Sequence, residues 1–173
     1  MSQIKVDSIV PRGGLPAGAF GGGIIQCVTT QSNSVVSYSG STSWVDVLSL
    51  TITPSSASSK ILLLSILTAG QQSGVPEGGS RILRGSTPVY VCGDPLSSQV
   101  ARGNAWSRAI DQSYAAHTST LIQTDSPSTT SATTYKLQAH VSESDAWYLN
   151  RTNNNADFGM NGTTTLQAFE ITV

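Results

Sequence analysis

The sequence predicts an all-β chain: an antiparallel two-sheet sandwich, jelly-roll-like, carried behind an extended Gly/Pro-rich amino-terminal arm. Three observations carry that expectation. About ten short runs rich in β-branched residues follow one another from Ile24 onward, each bounded by Gly, Pro, Ser or Asn. Several runs alternate apolar and polar residues, which gives a strand one dry and one wet face. No stretch of ten or more residues combines helical periodicity with caps. Strands in that number with no helices between them bury their apolar faces as two packed sheets.

The arm comes first. Met1 to Val10 alternates, with Ile4, Val6 and Ile9 as its apolar set, and residues 11–23 then hold six glycines and two prolines. Such a segment cannot be helical; glycine allows close backbone approach and proline favours extended geometry. Residues 1–23 are therefore expected to form a docking arm and hinge that meets a partner through Ile4, Val6, Ile9, Val10, Pro11 and Arg12. Residues 24–173 are expected to form the sandwich body.

Within the body, strands are expected at 24–30, 35–39, 44–53, 60–69, 81–84, 89–92, 115–123, 134–142, 146–151 and 163–173. Leu48, Leu50 and Ile52 alternate with Ser49, Thr51 and Thr53. Tyr135, Leu137, Ala139 and Val141 alternate with Lys136, Gln138 and His140. Thr53-Pro54-Ser55-Ser56 ends one strand, and Gly85-Ser86-Thr87 returns a hairpin. Asp125-Ser126-Pro127-Ser128 and Asn153-Asn154-Asn155 mark loops. Between 97 and 113, Val100, Trp106 and Ile110 fit either a strand pair or one helical turn.

Composition narrows the function. The 173 residues suffice for one domain. Only 11% are charged, against about 25% in typical soluble domains, and the formal net charge is −1. With no run of Lys or Arg, a basic nucleic-acid surface is not expected. Ser (27) and Thr (19) make up more than a quarter of the chain, which leaves much of the surface to small neutral polar groups. Such a surface suits subunits that pack against copies of themselves, because few charges must be desolvated. The apolar 38% is gathered in dense runs such as Ile61-Leu62-Leu63-Leu64, which argues for order over disorder. Without a basic n-region and apolar h-region after Met1, no secretory signal is expected, and no apolar run is long enough to insert in a membrane. Cys27 and Cys92 each lie in a strand-like apolar run and are expected to be buried free thiols.

No catalytic or cofactor-binding pattern emerges. There is no Gly-x-Ser-x-Gly elbow, no His-Glu-x-x-His, no Cys-x-x-Cys and no calcium-loop pattern. His117 and His140 stand singly in predicted strands, and Glu143 and Asp145 fall on a turn. Ten acids scattered over the chain single out no carboxylate pair of the glycosidase kind. Trp147 and Tyr148, beside the Asn-rich loop, suit a sugar platform or, better, core and subunit contacts. The sequons at Asn150 and Asn161 have no meaning without a secretory route. The expectation is a non-enzyme with no cofactor and no metal.

The opening Ile4-Lys5-Val6-Asp7-Ser8-Ile9-Val10-Pro11, the Gly/Pro stretch and Gly23-Ile24-Ile25-Gln26 resemble the amino-terminal signature of structural proteins from phages of cyanobacteria and other aquatic bacteria. Val45-Asp46-Val47, Ile52-Thr53-Pro54-Ser55-Ser56, Lys60-Ile61-Leu62, Leu83-Arg84-Gly85-Ser86-Thr87 and the stretch from Asp125 to Tyr135 resemble the same family's strand and loop blocks, in the same order. The resemblance spans nearly the whole chain and leaves out 97–116 and 153–161. It implies a tail-fibre-like virion protein, made in the host bacterial cytoplasm and located in the virion, with no catalytic site.

The function expected is therefore a homotrimeric tail-fibre or baseplate-fibre subunit, anchored by its arm and presenting loops to the host. Asn153, Asn154, Asn155, Asp157 and Phe158 are the expected host-contact loop. The alternatives are a capsid head-decoration or cement protein and a carbohydrate-binding jelly-roll module. Expected partners are the chain itself, other proteins of the tail, baseplate or capsid, and a host surface glycan, with no nucleic acid and no membrane.

Overall fold

The computed structural model describes residues 23–38, 43–71, 78–89, 104–106, 116–141, 146–152 and 161–172, with 71 and 104–106 described by backbone alone. They form β1 (Ile24–Ser32), β2 (Val36–Tyr38), β3 (Val45–Ile52), β4 (Lys60–Gln71), β5 (Gly78–Arg84), β6 (Thr87–Pro88), β7 (Asn104–Trp106), β8 (Ala116–Asp125), β9 (Thr133–Val141), β10 (Trp147–Leu149) and β11 (Thr164–Ile171). The described residues contain no helix, so none that crosses a membrane. The chain is all-β: two antiparallel sheets packed face to face.

The alternating runs lie where their period requires. In β9, Tyr135, Leu137, Ala139 and Val141 are buried while Lys136, Gln138 and His140 face outward. β11 repeats the pattern with Thr164, Leu166, Ala168 and Glu170 inside. In β3 the expected Leu50 and Ile52 enter the core, and a bulge between Asp46 and Leu48 sets Val47 apart from the ladder. Trp106, for which the sequence allows a strand pair or one helical turn, lies in β7, paired with Gly78 in the ladder. The strand expected at 89–92 falls largely outside the described residues. What is seen is β6, followed by a hydrogen bond from the Val89 amide to the Ile82 carbonyl at 3.0 Å. Gly85 turns that hairpin with φ 59°, a left-handed conformation that glycine adopts without steric cost.

Sheet geometry reduces eleven strands to eight rows. β4 pairs with β8 along one edge, so β10 (opposite residues 69–71) and β11 (opposite residues 60–66) must share the other. They are one row interrupted by an excursion between Leu149 and Thr164. β1 and β2 follow β11 and β10 in the same way, and β6 and β7 share the free edge of β5. Numbered along the chain, the rows pair first with eighth, second with seventh, third with sixth and fourth with fifth. The first sheet thus runs β1/β2, β10/β11, β4, β8, and the second runs β3, β9, β5, β6/β7.

The core fills the gap between the sheets. Ile61, Leu63, Leu67, Leu121, Leu166 and Ala168 from the first sheet meet Leu50, Ile52, Ile82, Tyr135 and Leu137 from the second. Trp147 is buried too and stacks on Tyr38, with centroids 4.2 Å apart and planes 12° apart. Hydroxyls and one ion pair tie the sheets together as well. Ser80 bonds Ser119 at 2.7 Å. The guanidinium of Arg84 holds both carboxylate oxygens of Asp125 at 2.8 Å, and the Tyr135 hydroxyl donates to that carboxylate at 2.7 Å. Burial, and then the Asp125 carboxylate, push the Tyr135 phenol well above its ordinary pKa, so it stays a donor.

Candidate functional site

The residues singled out by sequence divide sharply. Ile4, Val6, Ile9, Val10, Pro11 and Arg12 lie outside the described residues, as do Asn153, Asn154, Asn155, Asp157 and Phe158, the pair Glu143 and Asp145, and Cys92. Cys27 does not have the burial expected of it: its thiol is free and exposed. The reason is register. Cys27 stands opposite Phe169 in the ladder, and β11 turns Ala168, not Phe169, into the core. An apolar run marks a strand but not which of its side chains are buried, and β1 lies at a sheet edge with one face outward.

Neither aromatic suggested for a sugar platform offers an open ring. Trp147 is core, and the Arg151 guanidinium lies 3.8 Å over Tyr148. His140 lies beside Trp44, their centroids 5.1 Å apart. His117 faces inward at the end of β8, where burial lowers its pKa. Among the described residues no three His, Cys, Asp or Glu side chains converge as metal ligands would. The buried polar groups form structural joints instead, two of which frame the remaining surfaces.

The first joint is Asn150, where the excursion leaves the β10/β11 row. It is buried, and its backbone takes φ 59°, a region that asparagine tolerates better than most residues. Its amide nitrogen donates to the Ser32 carbonyl at 2.9 Å and the Ser34 carbonyl at 3.0 Å; its side-chain oxygen accepts from Thr164 at 2.7 Å. Its backbone N–H donates to the Thr68 carbonyl and its own carbonyl accepts from Gly162, both at 2.9 Å. One side chain therefore seals the break in two adjacent rows. Arg151 and Asn161 then bridge to close the neck of the excursion. That neck lies on the outer face of the first sheet. A Cβ on Gly70 would strike the Arg151 carbonyl and come 2.7 Å from Thr152 Cα, and one on Gly162 would come 2.8 Å from Thr68 Cβ.

The second joint is Glu170, 1% exposed. The backbone N–H and the hydroxyl of Ser55 both donate to its carboxylate at 2.7 Å, which fastens the β3–β4 connection to β11. Desolvation pushes this carboxyl up, but the hydrogen bonds from the serine-rich connection outweigh it and hold the pKa below the usual value.

What remains is surface, and the two outer faces differ. On the second sheet, Lys136 reaches Asp46 at 2.6 Å, Gln138 donates to Asp46 at 2.5 Å, and Arg81 donates to Gln138 at 2.8 Å while lying 4.1 Å over the Trp44 ring. On the first sheet, register aligns three outward files: Ile24–Ile171–Lys60, then Cys27–Phe169–Leu62–Thr124, then Thr29–Gln167–Leu64–Ile122, with Ile66 beyond. Ile122 is 63% exposed, Ile24 61% and Ile66 40%. The sequence held one sign of this face: the Ile61–Leu64 run does not alternate, so β4 is apolar on both sides. No family model matches the chain, and no curated protein matches it.

Proposed function

We propose that the chain is a non-enzymatic structural subunit of a bacteriophage virion, of the fibre type, that assembles with copies of itself and is anchored by its amino-terminal arm. The observation that carries this reading is the polarity of the sandwich. Gly23 bonds Thr172 at the end where the connections are short and stapled: 53–59 by Glu170, the Gly85-Ser86 turn, and 126–132 beside the Arg84–Asp125 pair. The strand ends at Tyr38, Gln71, Trp106 and Val141 all lie at the opposite end. Chain entering beside Gly23 therefore leaves those strand ends facing away from the point of entry. A subunit held through residues 1–22 would present that far end outward.

The nested row pairing supports a jelly-roll reading of the sandwich, an architecture shared by capsid and lectin domains. Architecture alone does not choose between those uses. The rings of Trp44, Trp147 and Tyr148 each carry a stacked neighbour, which weighs against the lectin use. Gold-labelled antibody against residues 24–173, applied to purified virions, tests the reading. Label at the tail tip or baseplate is the expected result. Label over the head would make the protein a capsid decoration, and unlabelled particles would overturn the virion assignment.

A further inference from the structure

We propose that the uncovered part of the first sheet's outer face, built from Ile24, Leu62, Leu64, Ile66, Ile122 and Phe169, is the seat of a second copy of this chain. This deepens the self-assembly part of the proposed function and rests on it. A contiguous apolar surface of this kind marks an interaction site in a soluble chain. The face also shows where cover is already supplied. Where the excursion neck crosses it, the sheet offers Gly70 and Thr68, small residues against which Arg151, Thr152 and Gly162 fit closely. Where no described segment crosses it, the outward residues are large and apolar.

Charge identifies the occupant. On the uncovered part of this face the sole charged group among the described outward residues is Lys60, at its rim; Arg151, on the covered part, is engaged over the Tyr148 ring. The rest are aliphatic, aromatic or neutral polar: Thr29, Gln31, Thr118, Thr120, Thr124, Thr165 and Gln167. A charged partner would bury groups for which the uncovered part of this face holds no counter-charge, which is strongly unfavourable. A second copy brings the same neutral face, whose threonine hydroxyls can donate or accept across the junction. Two such sheets pack at about 10 Å, side chains interdigitating as they do inside the sandwich. The second sheet's outer face makes no comparable seat, because its ions and rings are already matched within one chain.

The test is the oligomeric state of the full chain at micromolar concentration, by sedimentation velocity. The wild type is expected to be an oligomer, and the double variant Ile66→Lys, Ile122→Lys a monomer with an unchanged circular dichroism spectrum. The control pair Ser49→Lys, Thr51→Lys, on the other outer face, is expected to assemble as the wild type does. A wild-type oligomer that survives the Ile66/Ile122 change overturns this face alone and leaves self-assembly standing. A monomeric wild type overturns both. Should the double variant misfold, Cys27 supplies a probe that alters nothing: its alkylation, read by peptide mass, should slow at least tenfold on assembly and recover on dilution. An unchanged rate in the assembled protein overturns the proposal.

Discussion

Two outer faces built on the same two-residue period stand in opposite conditions. On the second sheet, Asp46, Lys136, Gln138, Arg81 and Trp44 complete one another, so water is their sufficient neighbour. On the first, Leu62, Leu64, Ile66 and Ile122 have no such completion, and part of the same face is capped by the chain's own excursion at Gly70. Strand alternation decides which side chains point outward. It does not decide whether outward means solvent. That follows from whether the outward groups satisfy themselves.

The comparison is broken most forcefully at Asn150, which fixes the capped half of the first face. Asn150→Gly keeps the positive φ without strain and removes the side-chain hydrogen bonds, adding only the smaller entropic cost of a glycine. Two carbonyls and a threonine hydroxyl lose their buried partner, which should cost about 3 kcal/mol in urea unfolding. A loss below about 1 kcal/mol would show that the rows stay joined without it.

Gly70→Ala comes next. Its methyl has no room against the Arg151–Thr152 backbone, and the expected loss is about 2 kcal/mol. The readout specific to the capping is tryptic cleavage after Arg151. Lifting the neck from the sheet should speed it well beyond what the change in global stability explains, and an unaltered cleavage rate would place the neck elsewhere in solution.

Glu170 shows the same inner construction through pH. Its folded pKa lies below the unfolded value of about 4.3. A depressed acid stabilises the fold above its unfolded pKa, and that contribution is lost as pH falls through the folded one. Stability should therefore decline below about pH 4, and Glu170→Gln should flatten the decline while costing about 1–2 kcal/mol at pH 7, because Gln still accepts from Ser55 but without charge. A variant as steep in acid as the wild type would assign the decline to another group.

Much of this was legible in the residues, and the exceptions are instructive. The strands at 60–69 and 134–142 were clear because length, branching and period agreed. Cys27 was not legible, because an apolar run says nothing of which face a side chain takes or whether its strand is an edge. The collinear rows were hidden, since β10 and β11 are separated by fourteen residues in sequence (150–163) yet share one edge of β4. Asn150 read as a sequon residue, and only the ladder around it shows why an asparagine belongs there: amide donors and an oxygen acceptor at one break. Glu170 carried no local sign either, as its partners at Ser55 lie 115 residues away.

The smallest effect belongs to the second face and sharpens the contrast most cleanly. The Lys136 and Gln138 hydrogen bonds hold the Asp46 carboxyl below its usual range, so its contribution, like that of Glu170, is present above about pH 4 and lost below. Yet Asp46 and Lys136 are both substantially exposed, and water and salt screen their attraction. Asp46→Asn should therefore cost no more than about 0.5 kcal/mol at low salt and nothing measurable in 0.5 M NaCl. It should also leave the sedimentation profile untouched, because a face complete in itself has nothing to offer a second copy. A change of oligomeric state in this variant would mean that the charged face, not the apolar one, is where subunits meet.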